Sequence, residues 1–144
     1  CAPANSAQAK TWSTSPIAVG AVDRRKQIAY FSSRGQQKTP WNPVGCVAPG
    51  VNVKSTYLDS EYVEMSGTSM ACPHVAGLAA LLCQRWNGCD VYKIKKQLLL
   101  GTFYSHAYPP STYMGFGLVN CDRAVSTYYV NMFVDRLEEW HLFS

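Results

Sequence analysis

Apolar positions along the chain come in short bursts up to about residue 65 and in one long block after it. Ile17-Ala18-Val19-Gly20-Ala21-Val22 is an unbroken apolar run of strand length, as expected of a strand covered on both faces. Ile28-Ala29-Tyr30-Phe31 reads as a second short strand that stops at the turn-like Ser32-Ser33-Arg34-Gly35. The Ala-, Ser- and Pro-rich lead-in from Cys1 to Ser15 and the polar, two-proline stretch from Gln36 to Pro43 read as irregular surface segments. Val47-Ala48-Pro49-Gly50 turns into Val51-Asn52-Val53-Lys54-Ser55-Thr56, whose alternation suits a strand, and Tyr62-Val63-Glu64-Met65 is a brief extended piece.

From Ser69 the period changes. Met70, Ala71, Val75, Ala76, Leu78, Ala79, Ala80, Leu81 and Leu82 predict a helix that is apolar on nearly every side and therefore belongs inside a protein. Pro73 falls near its start, where a missing N–H is tolerated, and Asn87-Gly88 is a plausible stop. Val91 to Leu100 reads as an amphipathic helix with Val91, Ile94 and Leu98 inward and Lys93, Lys96 and Gln97 toward water. Gly115 to Asn120 is a glycine-punctuated extended stretch, and Asp122 to Tyr129 a further short helix. The expected architecture is α/β with a mainly parallel sheet and a central helix carrying Ser69, over residues 1–129. Residues 130–144 form an amphipathic tail, with Val130, Phe133, Val134, Leu137 and Trp140 at helical spacing, expected to pack on the parent domain.

Composition narrows the class without naming a function. With 144 residues, 47% apolar and 15% charged, the chain can build one core and is not of disordered type. The apolar run from Val75 to Cys83 is far short of the ~20 residues a membrane span needs. A net charge of +4 is spread over Arg24-Arg25-Lys26 and Lys93, Lys95 and Lys96, and no nucleic-acid partner follows from it. Six cysteines point to an oxidising, secreted or extracellular setting. Their spacings match no common zinc pattern, and their pairing is open.

Chemistry concentrates in Gly67-Thr68-Ser69-Met70-Ala71-Cys72-Pro73-His74-Val75-Ala76-Gly77. A serine here stands where a glycine turn enters an apolar helix, and free N–H groups at a helix start favour negative charge. The residues alone leave two readings open: Ser69 as an N-cap, or Ser69 as a nucleophile whose own N–H stabilises an oxyanion. His74 is not the base for such a serine. Five helical positions place it about 140° round and about 7.5 Å along from Ser69. His106 and His141 have no acidic motif beside them.

This eleven-residue stretch resembles the active-serine signature of the subtilisin-like serine proteases, the subtilases. Ile17 to Val22, Phe31-Ser32-Ser33-Arg34-Gly35, Ala48-Pro49-Gly50-Val51 and Gly115 to Asn120 match the same family in the same order. The resemblance implies a serine endopeptidase acting on proteins or peptides through an acyl-enzyme on Ser69, with Thr68 and Met70 lining the reacting centre. It implies no cofactor for the chemistry. A structural calcium is common in the family, but the acidic position before the A/G-P-G turn is Gly45 here, and Asp59, Glu61 and Glu64 form no recognisable cation loop. The proteinase K-like branch pairs cysteines roughly where Cys1 and Cys89 stand, and Cys72 is expected as a buried free thiol. The family's Asp, His and A-G-N motifs do not occur in the chain. The expectation is therefore a C-terminal portion of a catalytic domain, completed by a missing N-terminal part. The alternative is a catalytically inactive module with a binding or structural role.

Overall fold

The computed structural model describes residues 16–35, 44–88, 90–103 and 111–126. Two short strands, β1 (Val19–Val22) and β2 (Cys46–Pro49), pair in parallel with Val19 opposite Cys46 and Val22 opposite Pro49. Val47 extends the sheet on the other side: its N–H donates to Gly117 O at 3.0 Å and its carbonyl accepts from Val119 N–H at 3.0 Å. Phe103 then adds to Leu118 in an antiparallel bridge. The extended Gly115 to Asn120 stretch is thus an outer rib of the sheet, and Gly115 and Gly117 take the positive φ its bends require. A separate antiparallel hairpin joins β3 (Val53–Thr56) to β4 (Tyr62–Met65) through the turn Leu58–Ser60.

Three helices follow: α1 (Thr68–Arg85), α2 (Val91–Leu100) and α3 (Cys121–Val125). Asp90 and Asn120 cap the last two, their side chains accepting from Lys93 N–H at 3.1 Å and Arg123 N–H at 2.8 Å. The core lies where α1, α2 and α3 meet β1 and β2. Ala21, Ala48 and Ala71 let the helix approach the strands closely, and Leu78, Leu82, Leu98 and Leu99 fill the space behind them.

Several expectations change. Residues 28–31 are not a strand: Ile28 makes one bridge to Val22, and the chain turns at Tyr30 and Phe31. Cys46–Pro49 is a strand in its own right, because Val47 is hydrogen-bonded to a neighbour that lies 70 residues later in the chain. Pro73 is the sixth residue of α1, beyond the first turn, so it removes the N–H that would close on the Ser69 carbonyl. On α2 the inward face is rotated from the expected one: Val91 is exposed, while Lys95 and Gln97 are buried with Ile94, Leu98, Leu99 and Leu100. Helix α1 is covered along one stripe, Ala71, Val75, Leu78 and Leu82; among the described residues nothing covers Ala76, Gly77, Ala80 or the half-exposed Leu81. Cys1, Cys89, His106, His141 and the 130–144 tail lie outside the described residues.

Burial holds the Lys95 ammonium down from the ordinary 10.5 to about 8. The unfolded chain then binds more protons than the folded one between these values. Stability should therefore rise with pH from about 8 to 10.5 and stay at its lower level below 8. Urea midpoints across that range check this, and Lys95→Met should flatten the rise.

Candidate active site

Ser69 is the second residue of α1, and it is held there by backbone contacts that begin in the sheet. Gly50 N–H donates to Val22 O at 3.0 Å, tying the end of β2 to the end of β1. The Gly50 carbonyl in turn accepts from Gly67 N–H at 2.8 Å, and the Gly67 carbonyl accepts from Met70 N–H at 3.0 Å. The sheet therefore specifies where the helix starts. Gly50 is needed for its missing side chain: a Cβ there would stand 2.6 Å from Ala21 Cβ and 2.8 Å from Gly67 O. A Cβ on Gly67 would stand 2.9 Å from Ser69 Oγ.

A second tie lies one step further out. Ser66 Oγ accepts from Asn52 N–H at 2.9 Å and donates to Asn52 Oδ1 at 3.2 Å, closing the base of the hairpin. Asn52 has φ 51°, a conformation Asn tolerates better than most residues. The three-residue lead into Ser69 is thus fixed at Ser66 and again at Gly67.

The Ser69 side chain is exposed, Thr68 and Met70 are half-buried beside it, and all three belong to the first turn of α1. Among the described residues the Ser69 N–H and hydroxyl make no hydrogen bond. A free N–H at a helix head together with an unblocked hydroxyl is an arrangement that can both attack a carbonyl carbon and bind the oxygen that becomes charged. His74 does not join them. Its Nδ1 donates to Met70 O at 2.9 Å, one turn back on the same helix, as expected from the spacing. Among the described residues no hydrogen bond joins Ser69 to a histidine or a carboxylate.

Cys72 is exposed, not buried as expected, because it points away from the stripe of α1 that covers the sheet. The buried thiol is Cys46, and burial, with a smaller push from Cys72, raises it to about 12. Cys46, Cys72 and Cys121 are free thiols. No group of three or more His, Cys, Asp or Glu side chains among the described residues could hold a metal ion.

Residues 2–117 match the subtilase family, peptidase S8, and the chain belongs to that family. It is 44% identical over 108 residues to the thermostable alkaline protease of Halalkalibacterium halodurans, covering 75% of this chain and 27% of that protein. Against subtilisin DY of Bacillus licheniformis it is 40% identical over 110 residues, covering 76% of this chain and 37% of the relative. The CspB protease of Clostridium perfringens superposes with a TM-score of 0.63 at 33% identity, over 75% of this chain and 25% of that one. Fervidolysin from Fervidobacterium pennivorans, a keratinolytic enzyme related to subtilisin, gives a TM-score of 0.62 at 30% identity, over 74% and 18%. The fold is subtilisin-like, and the chain spans about a quarter to two fifths of the length of the relatives it matches in sequence.

Gly50→Ala should lower stability by about 1–3 kcal/mol through overpacking and displace the turn before Ser69. A urea melt reads the first effect. Native alkylation with iodoacetamide should label Cys72 and Cys121, with Cys46 reacting only after denaturation. Mass-spectrometric mapping checks it, and equal labelling of all three would show that β2 is not sealed.

Proposed function

We propose that this chain is the nucleophile-bearing part of a serine endopeptidase. The observation that carries the reading is the head of α1, where Ser69 combines an exposed hydroxyl with an unpaired backbone N–H on a turn anchored to the sheet. In the reaction Ser69 Oγ attacks the carbonyl carbon of a peptide bond and its proton passes to a histidine. The carbonyl oxygen takes up the electron pair and is held by the Ser69 N–H beside Thr68. Collapse expels the amine with that proton and leaves an acyl-enzyme on Ser69, which water then hydrolyses. Met70 packs against the reacting centre, where conversion to the sulfoxide would impair turnover. No cofactor takes part in these steps.

The general base, its orienting carboxylate and a side-chain oxyanion donor are supplied by sequence outside these 144 residues, the missing N-terminal part of the domain. Two observations support this: the described His74 is bound to Met70 O rather than to Ser69, and the matched relatives are several times longer than the aligned stretch. The uncovered stripe of α1 through Ala76, Ala80 and Leu81 gives that part an apolar surface to cover. Partners are protein or peptide substrates in an extracellular or other oxidising compartment, consistent with six cysteines in a short chain. No described helix is long and apolar enough to cross a membrane.

A fluorophosphonate probe tests the reading. The 144-residue chain alone should label poorly, and the chain joined to its upstream sequence should label at Ser69, with labelling abolished in Ser69→Ala. Failure to label with the upstream sequence present would overturn the reading and favour the alternative, a catalytically inactive subtilase module.

A further inference from the structure

Helices α2 and α3 each begin under a side-chain cap, Asp90 accepting from Lys93 N–H and Asn120 from Arg123 N–H. Helix α1 begins at Gly67, carries no such cap and has no acidic residue in its first turn. The common reason for a glycine at a helix boundary, a backbone conformation that side chains disfavour, does not apply. Gly67 has φ 166° and ψ 159°, extended geometry open to any residue. Space does not demand a glycine either. A Cβ there would meet only Ser69 among the described residues, and the Ser69 Oγ at 2.9 Å is the end of a side chain that can rotate away.

The same geometry shows what a polar side chain at position 67 would do. Its Cβ would stand 3.7 Å from Ser69 N, so an oxygen one or two bonds further on comes within hydrogen-bond reach of the Ser69 N–H. Ser69 is the second residue of α1, and a capping side chain ordinarily takes the N–H of the second or third. The third, Met70 N–H, already donates to Gly67 O at 3.0 Å, which leaves Ser69 as the target. Ser66, the next hydroxyl upstream, is kept from the helix as well, because it accepts from Asn52 N–H and donates to Asn52 Oδ1. Both residues ahead of Thr68 thus leave the helix head uncapped, one by having no side chain and the other by having it engaged elsewhere. This holds whatever covers the helix head in the whole protein, since residue 67 would reach the Ser69 N–H from within one turn.

We infer that Gly67 serves the reaction as a withheld helix cap: lacking a side chain, it keeps the Ser69 N–H unoccupied for the carbonyl oxygen that becomes charged. A little stability at the start of α1 is given up for a donor aimed at the substrate. Gly67 is a positioning residue that acts through Ser69, a role that rests on the reading of Ser69 as the nucleophile of a serine endopeptidase.

Gly67→Ser and Gly67→Ala in the full-length protein, the chain joined to its upstream sequence, separate the cap from the added Cβ that both variants carry. On a chromogenic peptide substrate, Gly67→Ser should lose about 100-fold in kcat relative to Gly67→Ala, with KM within about twofold, because the N–H acts on the transition state. Its urea midpoint should nonetheless lie above that of Gly67→Ala, since serine caps a helix and alanine does not. Hydrogen exchange at the Ser69 amide, followed by NMR, should slow about tenfold in Gly67→Ser and not in Gly67→Ala. Gly67→Asn offers the same cap in another shape and stands in should Gly67→Ser not fold. Equal kcat in the serine and alanine variants, a loss confined to KM, or unchanged exchange at the Ser69 amide in an active enzyme overturns the role of Gly67 alone. A folded full-length wild-type protein that hydrolyses no peptide overturns the endopeptidase reading, and this role with it.

Discussion

The Gly50 peptide unit governs the geometry of this molecule. Its N–H ends β2 on Val22 and its carbonyl starts α1 through Gly67, so one residue converts the position of two parallel strands into the position of a helix head. Nothing bulkier than a hydrogen atom fits there, since Ala21 and Gly67 close on it from two sides. Strand, turn and helix are thereby set relative to one another by backbone hydrogen bonds. Exposed side chains at the helix head are then free to be chosen for chemistry rather than for stability.

Helix α1 shows the same division of labour along its length. The stripe of Ala71, Val75, Leu78 and Leu82 is sealed against the strands and the two shorter helices. Small residues populate the opposite side, where Ala76, Gly77 and Ala80 present little more than backbone. Such a surface permits very close approach by another element without requiring a particular side-chain fit. It is a sequence suited to being enclosed, and the described residues enclose half of it.

Much of this arrangement could be read from the residue pattern, and the exceptions have physical causes. The apolar run ending at Val22, the helix beginning beside Ser69 and the bounds of α2 all follow from periodicity and capping residues. The exclusion of His74 also needed no coordinates, because helical geometry alone turns it from Ser69. Strand β2 was hidden because its neighbour on one side, Val119, comes from the far end of the chain, and local propensity carries no trace of such pairing. Gln97 and Lys95 were misplaced for a related reason: α2 buries more than a third of its circumference, so a narrow amphipathic stripe understates what is covered. Cys72 went the other way, since an apolar helix read from sequence gives no hint of which side is left open. The proposal of Ser69, Thr68 and Met70 as site residues rests on the family motifs, whereas the Asn52–Ser66 clasp has no sequence signal beyond an Asn and a Ser fourteen residues apart.

The hairpin formed by β3 and β4 packs chiefly on itself, and its tip relies on Asp59 and Ser60 in left-handed conformations rather than on support from the core. Among the described residues its hydrogen-bonded moorings are at the base, where Ser66 and Gly67 are fastened. A change of length or side chain at the tip is consequently buffered by the base contacts before it reaches the serine. The fold thus separates a self-contained hairpin tip from the helix head by a clasp only a few residues long.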